Sequence, residues 1–135
     1  MKLAIKFDPG YADAYHNLGN AQFGLAQKTN SPDLYKEAAQ NYLSAIKYNP
    51  RLWQSYQNLG VIYFNNGSLD KAIEYTAKAS EINSGDINLK INLGALYLKS
   101  GNTQKARGVF EMILKADPTN QKVQQILKNI DSSSH

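Results

Sequence analysis

Acid–base or metal chemistry in the body of this chain would rest on His16, because the only other histidine is the terminal His135. Asp13 stands three residues before it, a spacing that sets the two on one helix face, where a carboxylate can orient an imidazole or the pair can offer two metal ligands. No third ligand and no nucleophile accompanies them, so the pair is expected to be a polar surface element; no catalytic residue, metal site or cofactor is expected. Cysteine is absent, which removes thiolate catalysis, thiolate metal sites and disulfides together. The glycines form no phosphate-cradling loop. What remains is amide chemistry: Asn17-Leu18-Gly19 returns as Asn58-Leu59-Gly60 and as Asn92-Leu93-Gly94. An amide side chain both donates and accepts, so a row of them can pair with the N–H and C=O of a peptide whatever its side chains.

Those asparagines need elements to hold them, and the bulk properties permit a real core. The chain has 135 residues, of which 42% are hydrophobic, enough for one compact domain or a short repeat array. No run approaches the 18 or so apolar residues of a membrane span, and MKLAIKFDPG contains no signal-peptide core, so the expectation is a soluble, cytoplasmic chain without membrane contact. A net charge of +4 spread over scattered lysines favours solubility over tracking a phosphate backbone, and nucleic acid is not expected as a partner.

The repeated triplet belongs to a longer period. Leu59 and Leu93, Gly60 and Gly94, Tyr63 and Tyr97, Gly67 and Gly101, and Ala72 and Ala106 are each 34 residues apart, while Leu18 precedes Leu59 by 41. Asp8-Pro9, Asn49-Pro50, Asn83-Ser84 and Asp117-Pro118 keep the same steps and are expected to stop helices. Between the breakers the apolar spacing is helical: Tyr56, Leu59 and Tyr63, then a turn at Asn66-Gly67, then Ala72, Ile73, Ala79 and Ile82. One unit is therefore two antiparallel helices, with Gly60 and Gly94 facing Ala72 and Ala106 so that the backbones approach closely. A single pair cannot cover its own apolar face, so the units must stack into an all-α solenoid.

The pattern Y-x-x-L-G-x-x-Y, then Gly, Ala, an aromatic and Pro over 34 residues, resembles the tetratricopeptide repeat family along almost the whole chain. The resemblance implies an α-α superhelix, a right-handed solenoid of antiparallel helix pairs, with three repeats and a C-terminal capping helix. The divisions are residues 1–9 as the end of the second helix of a truncated preceding repeat, 10–50, 51–84 and 85–118 as the three repeats, and 119–135 as the capping helix and a frayed tail from Asp131. An apolar end around Leu3, Ile5 and Phe7 would then invite self-association. Three positions depart from the family pattern: Lys90 and Thr76 where it has an aromatic, the latter with Tyr75 adjacent, and Gln22 where it has Tyr. The first repeat carries seven extra residues near QKTNSPD, where Ser31 reads as an N-cap and Pro32 as the first turn, so its helices should be longer.

A helix advances about 100° per residue, which places Gln54, Asn58, Val61 and Asn65 on the face turned away from the helix partner. Its counterparts are Asp13, Asn17, Asn20 and Gly24 in the first repeat and Asn88, Asn92, Ala95 and Lys99 in the third. In the family these faces line the inside of the superhelix, which implies a groove holding an extended protein or peptide segment. His16 with Phe23, Gln57 with Phe64, and Ile91 with Leu98 flank it, where apolar groups would select side chains. Two alternatives stay open: the asparagines serve helix-to-helix hydrogen bonding instead, and Phe23, Phe64 and Leu98 are seam residues between repeats. The chaperone-tail subgroup grips a carboxylate with Lys, Asn, Asn, Lys and Arg, and those places fall here on His16, Asn20, Asn58, Asn88 and Asn92, without a cation. The asparagine series is more similar to the ladder in the repeats of O-linked N-acetylglucosamine transferase, whose catalytic domain has no counterpart in this chain.

Overall fold

The computed structural model describes residues 7–133. Among them are seven α-helices and no strand: α1 (Pro9–Thr29), α2 (Pro32–Tyr48), α3 (Trp53–Asn65), α4 (Leu69–Ile82), α5 (Ile87–Lys99), α6 (Thr103–Ala116) and α7 (Gln121–Ser133). Each helix packs chiefly on its neighbours in sequence, most extensively within the pairs α1/α2, α3/α4 and α5/α6, which makes an all-α superhelical stack. The 34-residue step is visible in the starts of α3 and α5 at Trp53 and Ile87, and of α4 and α6 at Leu69 and Thr103.

Local chemistry sets these boundaries. Ser31, Asp86 and Asn102 accept hydrogen bonds from the backbone N–H groups of Leu34, Leu89 and Lys105, three residues on, so each caps a helix start. The chain reverses inside the second and third pairs through Gly67 and Gly101, at φ 81° and 85°, where a side chain would be strained. In the first pair Asn30 takes that left-handed place at φ 53°, as the residue type that best tolerates it after glycine. The additional residues lengthen both helices, 21 in α1 and 17 in α2 against 13 and 14 in the next pair.

One sequence expectation gains a second role and another changes. Pro9 is the first residue of α1, with Asp8 as N-cap accepting from the N–H groups of Gly10 and Tyr11. Proline is tolerated there because a first-turn N–H has no intrahelical acceptor to lose. Residues 1–6, including Leu3 and Ile5, lie outside the described residues. The tail does not fray at Asp131: α7 continues to Ser133, with Asp131 paired to Arg107 of α6 and the Ser133 hydroxyl donating to the Ile130 carbonyl.

Within each pair one glycine faces one side chain. A Cβ on Gly19 would lie 2.9 Å from the Tyr42 ring, one on Gly94 2.5 Å from the Phe110 ring, and one on Gly60 2.5 Å from the Thr76 hydroxyl. Tyr42, Thr76 and Phe110 are 34 residues apart, so they occupy one position of the repeat. Tyr42 and Phe110 are fully buried and Thr76 nearly so. Leu59 and Leu93, next to two of these glycines, are buried, whereas the corresponding Leu18 is half exposed. It shares the outer face of α1 with exposed Tyr11 and Leu25 at seven-residue intervals.

Gly94→Ala should therefore destabilise the fold by about 1–3 kcal/mol, because the enclosed Phe110 ring cannot move aside. Gly108→Ala, where nothing lies within 4 Å, should stabilise by about 0.5–1 kcal/mol through helix propensity alone. Urea unfolding of both variants checks the opposite signs.

Candidate functional site

The face assembled from α1, α3 and α5 contains two seams built from equivalent residues, and they differ in chemistry. At the first, the Tyr42 hydroxyl of α2 donates to Oδ1 of Asn20 at 2.6 Å, and Nδ2 of Asn58 donates to that same Oδ1 at 3.1 Å and to the Tyr42 hydroxyl oxygen at 3.2 Å. Three helices are thereby tied together above Gly19. His16 adds a second tie, with Nδ1 2.7 Å from the hydroxyl of buried Ser55 on α3 and its ring tilted against Tyr42. Burial lowers the His16 pKa, and the nearby Asp13 carboxylate partly offsets this. Burial pushes the Tyr42 phenol up to about 12, against a smaller opposing effect of the Asn58 hydrogen bond.

At the second seam the corresponding residues are Val61 for Asn20, Thr76 for Tyr42 and Asn92 for Asn58. The network has lost both its ring and its first amide, and a cavity of about 270 Å³ opens there. Gly60 and Thr76 lie inside it, with Val61, Phe64, Asn92 and Lys99 around them. Tyr75 does not compensate for the missing aromatic. It is stacked on Tyr63 at 5.4 Å and tilted on Tyr56 at 6.3 Å, directed along another line of the helix pair. Lys99 Nζ sits 5.5 Å from the Phe64 ring centroid, and Val61 and Phe64 remain 39% and 37% exposed despite being large apolar groups.

The residues expected in a groove thus separate. Gln57, Val61, Phe64, Asn92, Ala95 and Lys99 come together around the cavity, with Leu98 exposed further along α5. Asp13, Asn17 and Asn88 are exposed on α1 and α5, and Gln54 is half-buried at the start of α3. Asn58 and Asn20 spend their amides on the seam, which is the helix-to-helix role left open by the sequence. Phe23 packs edge-on to Tyr35 at 5.9 Å and Ile91 packs against the core formed by α6 and α7, so both are partly covered from within the chain. Asn65 borders a different cleft, with Tyr63 and the start of α2. Gly60, Thr76 and Leu96 complete the cavity and were not among the expected site residues. The signal for Thr76 was its 34-residue spacing from Tyr42 and Phe110. Among the described residues, no group of three His, Cys, Asp or Glu side chains could hold a metal, and no helix is long and apolar enough to cross a membrane.

Sequence models of the tetratricopeptide repeat match residues 41–74 and 64–130. The chain is 37% identical over 107 residues to the BBSome complex member BBS4 of Bos taurus, covering 79% of this chain and 19% of that protein. It is 33% identical over 89 residues to the photosystem I assembly protein Ycf3 of Prochlorococcus marinus strain MIT 9211, covering 64% and 50%. The chain thus spans from about a fifth to a half of the length of these relatives. Among solved structures, a MamA protein superposes with TM-score 0.68 at 30% identity over 82% of this chain and 57% of that one. The first repeat domain of Spaghetti (RPAP3), solved with the HSP90 peptide SRMEEVD, superposes with TM-score 0.74 over 98% of both chains at 19% identity, a likeness of fold.

Because Tyr42 ionises near pH 12 when folded and near 10 when unfolded, the unfolded chain releases its proton first, and stability present below pH 10 is lost as the pH rises toward 12. Tyr42→Phe should remove this part of the alkaline loss and, at neutral pH, cost about 1 kcal/mol for the broken network. Denaturant unfolding at pH 7 and at stepped alkaline pH measures both effects.

Proposed function

This chain belongs to the tetratricopeptide repeat family, and from that premise we propose that it is a non-catalytic protein-binding module that holds an extended segment of a partner along the face of α1, α3 and α5. The observation that carries the reading is the open second seam: Asn92 retains the amide donor that Asn58 spends internally and offers an acceptor beside it, next to exposed Val61, Phe64 and Leu98. Apolar groups of this size on a water-facing surface are stabilised when a partner covers them.

The segment is taken along its length and not by a terminal carboxylate. The solved relative with the peptide SRMEEVD shares the fold, but the five clamp positions of the chaperone-tail subgroup are here His16, Asn20, Asn58, Asn88 and Asn92. None is a lysine or arginine able to fork onto a carboxylate, and His16 is held near neutrality in its uncharged form by burial. A short groove that must order its ligand gives micromolar affinity, about −8 kcal/mol.

Random peptides displayed on phage should yield sequences retained by the wild type and bound at least about tenfold more weakly by the Asn17→Ala/Asn92→Ala variant, whose circular dichroism stays unchanged. Retained peptides that bind the variant equally well would remove these asparagines from the site. Asn58 is left in place because its loss would disturb the seam.

A further inference from the structure

We propose that the cavity over Gly60 and Thr76 is a socket for one aromatic side chain, Phe or Tyr, of the partner segment, with an acidic residue beside it on the partner meeting Lys99. The inference rests on the groove reading above and identifies what that groove selects. The same position of the repeat is filled from within in the other two pairs, by Tyr42 against Gly19 and by Phe110 against Gly94. At position 60 the glycine faces the Thr76 hydroxyl, 2.5 Å from where a Cβ would lie, and Tyr75 is stacked elsewhere on Tyr63, so no ring of this chain enters here. The ring that the other pairs carry is replaced by the smaller Thr76, and the cavity opens beside it on the groove side.

Size and lining agree with one side chain. About 270 Å³ falls just below the roughly 300–1,000 Å³ typical of small-molecule pockets, so the space suits a side chain more than a cofactor. Val61, Phe64, Ala95 and Leu96 supply apolar walls, and the Thr76 hydroxyl at the floor can pair with a tyrosine hydroxyl entering from the groove. Asn92 at the edge can hold the peptide unit that carries the ring. Lys99 stands at the same opening, near Phe64, and forms no ion pair among the described residues, which leaves its charge for an acidic partner residue.

Thr76→Phe tests the socket by restoring from within the ring that the other pairs carry. Ala95→Leu narrows the mouth from an exposed position and leaves the core untouched, so it serves if the first variant fails to fold. The probes are the phage-displayed random peptides and N-acetylphenylalaninamide, the latter followed by backbone amide shifts in NMR. Retained peptides should share an aromatic residue with an acidic neighbour and bind both variants about tenfold or more weakly. The amide probe should shift Gly60, Val61, Thr76 and Ala95 in the wild type and not in the variants. Peptides that bind wild type and variants equally would overturn the socket while the groove reading stands. If no peptide is retained but the amide probe still shifts the socket residues, the socket holds and the extended-segment reading falls. Absence of localised shifts overturns the socket in either case.

Discussion

The close approach of two helices at a glycine is the constraint from which the rest of this structure follows. In a helix pair whose first member carries Gly19, Gly60 or Gly94, the space a Cβ would need is already occupied or nearly so. The partner side chain at position 42, 76 or 110 decides what happens in that space. A ring fills it and locks the pair; a threonine keeps the helices in register and leaves room on the groove side. Because interiors are packed as densely as organic crystals, such a change in side-chain volume at a repeated position becomes a cavity instead of being absorbed by neighbours.

Seen this way, the seams are two outcomes of one design. Asn20, Tyr42 and Asn58 close the first with hydrogen bonds among themselves, while Val61, Thr76 and Asn92 leave the second with an apolar wall, a hydroxyl and an amide open to a visitor. Repeat architectures allow this because each pair contacts mainly its neighbours, so one seam can depart from the pattern without unsettling the others. Departures from local consistency are expected at functional sites, and the second seam is where this chain departs.

Much of the fold was legible in the sequence because its causes are local or periodic. The 34-residue step, the glycine turns at 67 and 101, the Ser31 cap and the longer first pair all follow from backbone rules that act within a few residues. The role of Pro9 at the start of α1 was not read, because proline suits the first turn of a helix as well as a breaker, and the Asp8 side-chain cap that fixes this role is not a periodic signal. The site was less legible. Helical periodicity gives the angle of Asn58, Phe23 and Ile91 on their helices, but not which neighbouring helix lies at that angle. Asn58 meets Tyr42 and Asn20 from two other helices, and Ile91 meets the core under α7. The substitution at Thr76 was visible, but its consequence depended on whether Tyr75 could turn into the same space, and its stacking on Tyr63 prevents that.

Beside Thr76 the second helix pair leaves a cavity of about 270 Å³ that no side chain of the pair fills. Thermal unfolding of Thr76→Phe measures this most directly, without any ligand. If the space is there, the ring buries apolar surface against Gly60 as Phe110 does against Gly94, a gain of about 1.5–3 kcal/mol that should raise the melting temperature by several degrees. A melting temperature that falls while helicity is retained would mean that the ring is forced into filled volume, and would contradict the account.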